Sequence, residues 1–203
     1  TQARKDLEAV GIKVVSVGNI TMVNDDDAEI EHNFKYAKAL GATGIVMAPT
    51  VKTLPRIEKF VKKYDIKAMI HNHGPEDKNF PTPKSVYDAV KNMDPRMGLC
   101  IDVGHTVRTG ASVLESIEMA GKRLHDFHLK DLKDLSDKAS QCEVGDGAIN
   151  ASKFCAVYPR EKQAVEAEVQ TDEQAGERDR QAVSREHVQC SAVERLERPL
   201  PNR

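Results

Sequence analysis

The sequence predicts an α/β fold: a partial eight-stranded barrel of about five parallel βα units, followed by a non-barrel C-terminal tail. Three observations predict it. Short apolar strand-like runs alternate with helical periodicity through roughly the first 150 residues, the rhythm of parallel units joined by right-handed crossovers. Three consecutive strands end in ionisable residues, as barrel strands do at their carboxyl ends, whereas an open doubly wound sheet gathers its ligand groups at one switch point. The segment Val17-Gly18-Asn19-Ile20 also carries no phosphate-cradling glycine motif.

Each element has its own signal. Leu7 and Val10 lead to Gly11, a helix stop, and Ile12-Lys13-Val14-Val15-Ser16-Val17 reads as the first strand. Asp25, Asp26 and Asp27 offer N-cap oxygens and negative charge to a helix with Ile30, Phe34, Ala37 and Leu40 on one face, closed by Gly41. Gly44-Ile45-Val46-Met47-Ala48 is the second strand, apolar on both faces as a covered parallel sheet requires. Leu54, Ile57, Phe60, Val61 and Tyr64 recur at helical spacing before the strand Ile66-Lys67-Ala68-Met69-Ile70. Thr82-Pro83 opens a helix with Val86, Tyr87, Val90 and Met93 inward, stopped by Asp94-Pro95. Met97-Gly98-Leu99-Cys100-Ile101 is the fourth strand, Val113, Leu114, Ile117 and Ala120 line a helix ending at Gly121, and residues 124–129 form the fifth strand.

This pattern stops near residue 153, so residues 1–153 are expected to form the incomplete barrel and 154–203 a separate tail. The tail holds a single lysine, Lys162, against Arg160, Arg178, Arg180, Arg185, Arg195, Arg198 and Arg203, and only two leucines, Leu196 and Leu200. Such a segment buries too little apolar surface to offset its ordering entropy, and disorder or loose helix is expected. The abrupt change from lysine to arginine usage points to a reading-frame change near Lys153. The chain also begins without Met and directly in a helix-like pattern, which reads as a fragment.

Composition limits the partners. The formal net charge is −2 and the pI about 6.4, so no bulk field draws the chain to nucleic acid or an anionic membrane. No apolar run is long enough to span a bilayer, and the first residues do not resemble a secretory signal. The four cysteines lack C-x-x-C spacing, which reads as reduced thiols in a cytoplasmic protein.

Chemistry concentrates at three strand ends. Ile70-His71-Asn72-His73-Gly74-Pro75-Glu76-Asp77 places two histidines two residues apart, which on a strand point the same way. Asp102, directly after Leu99-Cys100-Ile101, faces an apolar interior unless a metal or strong donor meets it. It could instead cap the following turn, with His105 bonded to backbone. On the fifth strand Asp126, His128 and Lys130 share the face opposite Phe127 and Leu129. Taken alone, His128 reads as a hydrogen-bonded core residue. Beside Asp102, the mixed imidazole and carboxylate set suits a divalent transition metal.

These stretches, with residues 98–105, 125–131 and the glycine turn at 144–149, resemble the xylose isomerase-like TIM-barrel family of sugar isomerases and epimerases. The resemblance covers residues 1 to about 153 and implies a partial TIM (β/α)8 barrel spanning the family's third to seventh strands. It implies a metal held by a Glu, an Asp, a His and a second Glu: Asp102 matches the Asp, His128 the His, and His71 stands at the first Glu. The second Glu belongs on an eighth strand, which the tail, although rich in Glu166, Glu168, Glu173 and Glu177, is not expected to supply. His73, His105 and Lys130 would hold substrate oxygens, and Glu76 is the candidate base.

The implied cofactor is Mn²⁺, Mg²⁺, Co²⁺ or Zn²⁺, and the implied substrate a sugar or polyol in enediolate chemistry. A homo-oligomer is compatible with this. Three alternatives stand beside it: an inosose-type dehydratase, suggested by His71-x-His73; an apurinic endonuclease, which needs a basic groove; and an inactive truncated product with open sheet edges prone to association.

Overall fold

A computed structural model describes residues 1–149 and the backbone of a short strand at 167–169. Five helix-linked strands make a parallel sheet in sequence order: β1 (Ser16–Met22), β2 (Gly44–Pro49), β3 (Lys67–His71), β4 (Met97–Asp102) and β5 (Leu124–Leu129). Between them run α2 (Asp27–Leu40), α3 (Leu54–Tyr64), α4 (Pro83–Val90), and the pair α5 (Val103–Arg108) and α6 (Val113–Ala120), with α1 (Gln2–Ala9) leading in. A small antiparallel pair, β6 (Asp131–Leu132) and β7 (Gln141–Cys142), follows β5. Among the described residues the sheet does not close, so the fold is an open portion of a barrel.

The helices form where capping and periodicity agree. Asp26 accepts from the Ala28 N–H at 2.9 Å, Thr82 and Ser85 cap α4 reciprocally, and Gly41 closes α2 in the left-handed conformation at φ 83°. Their apolar faces pack on the sheet: Ile30, Phe34 and Ala37 from α2, and Leu54, Ile57, Phe60 and Val61 from α3, are all buried. Phe34 meets Phe60 and Tyr64 at ring-centroid distances of 6.0 Å each. The solvent faces of α2 and α3 are joined by ion pairs in which Asp25 and Asp27 meet Arg56, Asp27 meets Lys59, and Glu31 meets Lys63. These exposed pairs align two helices already packed through their cores and add little stability.

Two expectations are corrected. The first strand is Ser16–Met22, not residues 12–17, because pairing with β2 sets its ends. Val10 and Ile12, apolar in the sequence, lie 70% and 52% exposed, while Gly18-Asn19-Ile20-Thr21 is drawn into the sheet despite its turn-like composition. Gly18 is needed there, since a Cβ would meet the Val46 carbonyl oxygen at 2.4 Å. Second, residues 103–108 form a helix, α5, where only a turn was foreseen. Within the segment expected to be a tail, the one described part is a strand at Ala167–Val169, which pairs parallel with β5 and sets Glu168 opposite His128 in register. The unpaired backbone groups on that side of β5 supply its hydrogen bonds. The rest of the tail and the expected frame change near Lys153 lie outside the described residues.

Candidate metal centre

The carboxyl ends of β3, β4 and β5 converge on one buried point. His71, Asp102 and His128 are 2%, 0% and 0% exposed, and one ligand atom from each lies within 4.8 Å of the others. Register puts Asp102 directly opposite His128. Asp102 Oδ2 lies 3.1 Å from His71 Nε2, 2.9 Å from Lys130 Nζ and 3.9 Å from His128 Nδ1. A carboxylate removed this far from water is costly unless cations or strong donors face it, and here Lys130 and His71 do.

The other oxygen of Asp102 has a different task. Oδ1 accepts from the His105 N–H at 2.7 Å and so caps α5. The capping reading of this residue is therefore realised on one oxygen, while the other oxygen faces His71 and Lys130. Asn72 fixes the backbone around it: Oδ1 of Asn72 accepts from the Asp102 N–H at 2.9 Å, and its Nδ2 donates to Thr106 Oγ1 at 3.1 Å. Thr106 in turn donates to the Asp102 carbonyl at 2.6 Å. Alternation along the strand end thus turns His71 and His73 to the site and Asn72 to the neighbouring strand.

Burial dominates the protonation of the histidines. It pushes His71 down to about 4 against the pull of Asp102, and His105 down to about 4 as well, so both are neutral imidazoles at neutral pH. His73 is lowered by burial too. For Asp102, burial raises the carboxyl, but the hydrogen bond from His71 and the fields of His71, His105 and Lys130 outweigh it and hold the group below the usual carboxylate range. Neutral imidazole and ionised carboxylate are the states in which these groups ligate metals. His71 Nδ1 is buried with no hydrogen-bond partner. An orphaned ring nitrogen beside a buried carboxylate is a donor set that a divalent cation would complete, so these residues fit the ion.

The remaining sequence-predicted residues surround this point. The His73 ring lies 4.3 Å and the His128 ring 4.4 Å from the His71 ring, centroid to centroid, and His105 lies 5.9 Å from both His71 and His73. Lys130 sits on Asp102 as described. Glu76 is set apart from the trio: it is 53% exposed on its side chain and paired with Arg108, whose hydrogen bond lowers its pKa.

Two contributors escaped the sequence reading. Asn19 on β1 places its Nδ2 3.3 Å from His73 Nε2, and the only local signal was a polar residue in a short strand. Arg108, at the end of α5, is 5% exposed on its side chain, and a buried arginine cannot be recognised without knowing the helix that carries it. His125, on the same strand as His128, lies at the opposite end of β5, 3.3 Å from the Pro95 carbonyl oxygen.

Beyond the site, Asp131 (1% exposed) gathers the glycine turn. Its oxygens accept from the N–H groups of Gly145 at 2.9 Å, Gly147 at 3.1 Å and Ile149 at 2.9 Å.

Comparison with known proteins bears on the fold and family. A family model described as xylose isomerase-like TIM barrel matches residues 4–158. Among solved structures, an uncharacterised protein of Parabacteroides distasonis is 31% identical, with a TM-score of 0.54, covering 68% of this chain and 54% of that one. This chain therefore spans about half the length of that relative. The IolI protein with a bound zinc atom is 20% identical, with a TM-score of 0.64, covering 76% of this chain and 67% of that one. A D-tagatose 3-epimerase-like protein is 20% identical, with a TM-score of 0.60, covering 77% and 68%. No curated protein matched. No helix among the described residues is long and apolar enough to cross a membrane.

Proposed function

Since the chain belongs to the xylose isomerase-like TIM-barrel family, we propose that His71, Asp102 and His128 hold a divalent metal ion in the active site of a sugar or polyol isomerase or epimerase. The observation that carries this reading is the buried trio itself: two imidazoles and one carboxylate, with ligand atoms within 4.8 Å, at the ends of three adjacent strands. The zinc-bound IolI structure and the epimerase-like one support it as relatives in fold. Nothing favours the inosose-type dehydratase over an epimerase. Two nitrogens and one oxygen suit Zn²⁺, Co²⁺ or Mn²⁺ better than Mg²⁺.

When bound, the ion supplies a Lewis acid that polarises a substrate carbonyl and acidifies the neighbouring C–H. The chain's own residues do the rest. Lys130, whose ammonium is 12% exposed on its side chain and anchored on Asp102, offers further donors to substrate oxygens. His73 and His105, neutral and at the rim of the trio, orient hydroxyl groups. Glu76 is the proposed proton acceptor; its pairing with Arg108 keeps it ionised while lowering its basicity. Sites of this kind act by placing fixed donors where charge develops during reaction.

The test is metal-dependent stabilisation. A chelator-treated chain is expected to melt higher with Zn²⁺ or Mn²⁺, by about 2.7 kcal/mol of stability at a free metal concentration near a hundred times Kd. His128→Ala is expected to lose that shift while retaining the far-UV spectrum of a folded α/β protein. An unchanged shift in His128→Ala overturns the assignment. Glu76→Gln separates the roles: turnover of a ketose or its epimer falls, and the metal-dependent shift stays.

A further inference from the structure

The geometry points to Arg108 as a positioning residue that fixes the tautomer of His105, making the imidazole an Nε2–H donor that offers the site a proton-bearing nitrogen and no acceptor. Arg108 Nη1 lies 3.1 Å from His105 Nδ1. A guanidinium has donors and no acceptor, and does not deprotonate in proteins. The bond therefore has one polarity: Arg108 donates, Nδ1 accepts, and the ring proton of neutral His105 must reside on Nε2, which points away from the guanidinium.

Several features hold Arg108 in place for this. Its side chain is 5% exposed, and Nη2 is anchored by Glu76. Gly74, at φ 84°, turns the chain directly over the pair: a Cβ there would come within 3.0 Å of both Arg108 Nη1 and His105 Nδ1. The backbone of the His71-Asn72-His73-Gly74 turn thus lies against the guanidinium–imidazole contact. Glycine is favoured there by its positive φ, and a Cβ would press on this contact. From the other side, the His105 N–H is bound by Asp102 Oδ1 at 2.7 Å, which fixes the backbone from which the imidazole projects.

The consequence for chemistry follows from the proposed function, on which this part rests. An Nε2–H imidazole can donate to a substrate hydroxyl, carbonyl or developing enediolate oxygen. It cannot take a proton at Nε2 without first losing the one it carries. His105 is then a fixed donor and not the base, which accords with the proposed assignment of that role to the carboxylate of Glu76, joined to it through Arg108. The arrangement follows the general rule that an imidazole's active nitrogen is set by the hydrogen bond the other nitrogen makes.

The experiment reads ring nitrogens directly, needing neither metal nor substrate. In the full chain labelled with ¹⁵N-histidine, long-range ¹H–¹⁵N correlation spectra at neutral pH are assigned for His105 by comparison with His105→Gln. The expected result is an unprotonated-type shift at Nδ1 and a protonated-type shift at Nε2. Arg108→Met is expected to shift His105 toward a mixture of tautomers, and Arg108→Lys, which keeps a donor, to restore the original pattern. Glu76→Gln, at an exposed side chain, loosens the guanidinium without burdening the fold and is expected to broaden the His105 signals through tautomer exchange; it serves if Arg108→Met does not fold. A protonated Nδ1 in the unsubstituted chain overturns the inference, as does a pattern unmoved by both Arg108→Met and Glu76→Gln. Loss of the metal-dependent melting shift with the Nε2–H pattern intact would strike the proposed function alone.

Discussion

His125 provides a quantitative test of how burial governs this protein's histidines. Its ring is partly buried at the amino end of β5; burial, then the fields of Lys67 and Arg123, push its pKa down to about 4 against the hydrogen bond it makes to the Pro95 carbonyl. An unfolded histidine titrates near 6.5. Because the folded pKa is depressed, the unfolded chain binds the proton first. The contribution is therefore fully present above about pH 6.5 and lost as pH falls toward 4. For a gap of about 2.5 units, the loss between pH 7.5 and pH 5 is about 2 kcal/mol.

His71 and His105 share this behaviour, so the unsubstituted chain loses stability steeply on acidification. His125→Gln, which retains a donor for the Pro95 carbonyl, removes its own share of that loss. Urea unfolding of both chains at the two pH values gives the difference. The stability gap between them should move by about 2 kcal/mol in favour of the variant at pH 5, or roughly 4–8 °C in Tm for a chain of this size. A gap that stays constant across the two pH values would refute the reasoning that burial keeps His125 neutral.

Other outcomes follow from the same packing. Phe34→Ala, which empties a fully buried ring position against Phe60 and Tyr64, should cost about 3–5 kcal/mol in denaturant unfolding. Asp131→Ala leaves the N–H groups of Gly145, Gly147 and Ile149 without their acceptor; a loss of about 1–3 kcal/mol should accompany faster amide exchange confined to that turn. Asn72→Ala strands the buried Asp102 N–H. It should lower stability by about 1–3 kcal/mol and also weaken the metal-dependent melting shift, which a loss of packing alone would leave intact.

The parallel rhythm and the buried trio were legible in the sequence for the same reason. Strands buried on both faces leave no room for polar residues except where function or pairing demands them, so His71, Asp102 and His128 stand out after Met69-Ile70, Cys100-Ile101 and Phe127. Elements whose identity depends on neighbours were not legible. Val10 and Ile12 look like strand or core and are exposed, because nothing in their own spacing says which backbone they will meet. Asn19 becomes a site residue only when β1 is set beside β2 and its amide reaches His73. Arg108 reads as a surface cation until α5 exists, and α5 contains Gly104 and β-branched residues that argue against a helix. It forms because Asp102 caps it and Thr106 bonds back to the Asp102 carbonyl.

That cap has a mechanical meaning. The two oxygens of one carboxylate serve two structures, the cluster of imidazoles on one side and the first turn of α5 on the other. A shift of Asp102 that follows an ion into place would be carried into the helix bearing His105 and Arg108, and a tilt of that helix would move the carboxylate in return. Ion placement and donor placement are then a single adjustable coordinate. Substitutions anywhere along α5 would be felt as changes in metal affinity, and exchanging one metal for another of different radius would re-aim the His105 donor without any change in sequence.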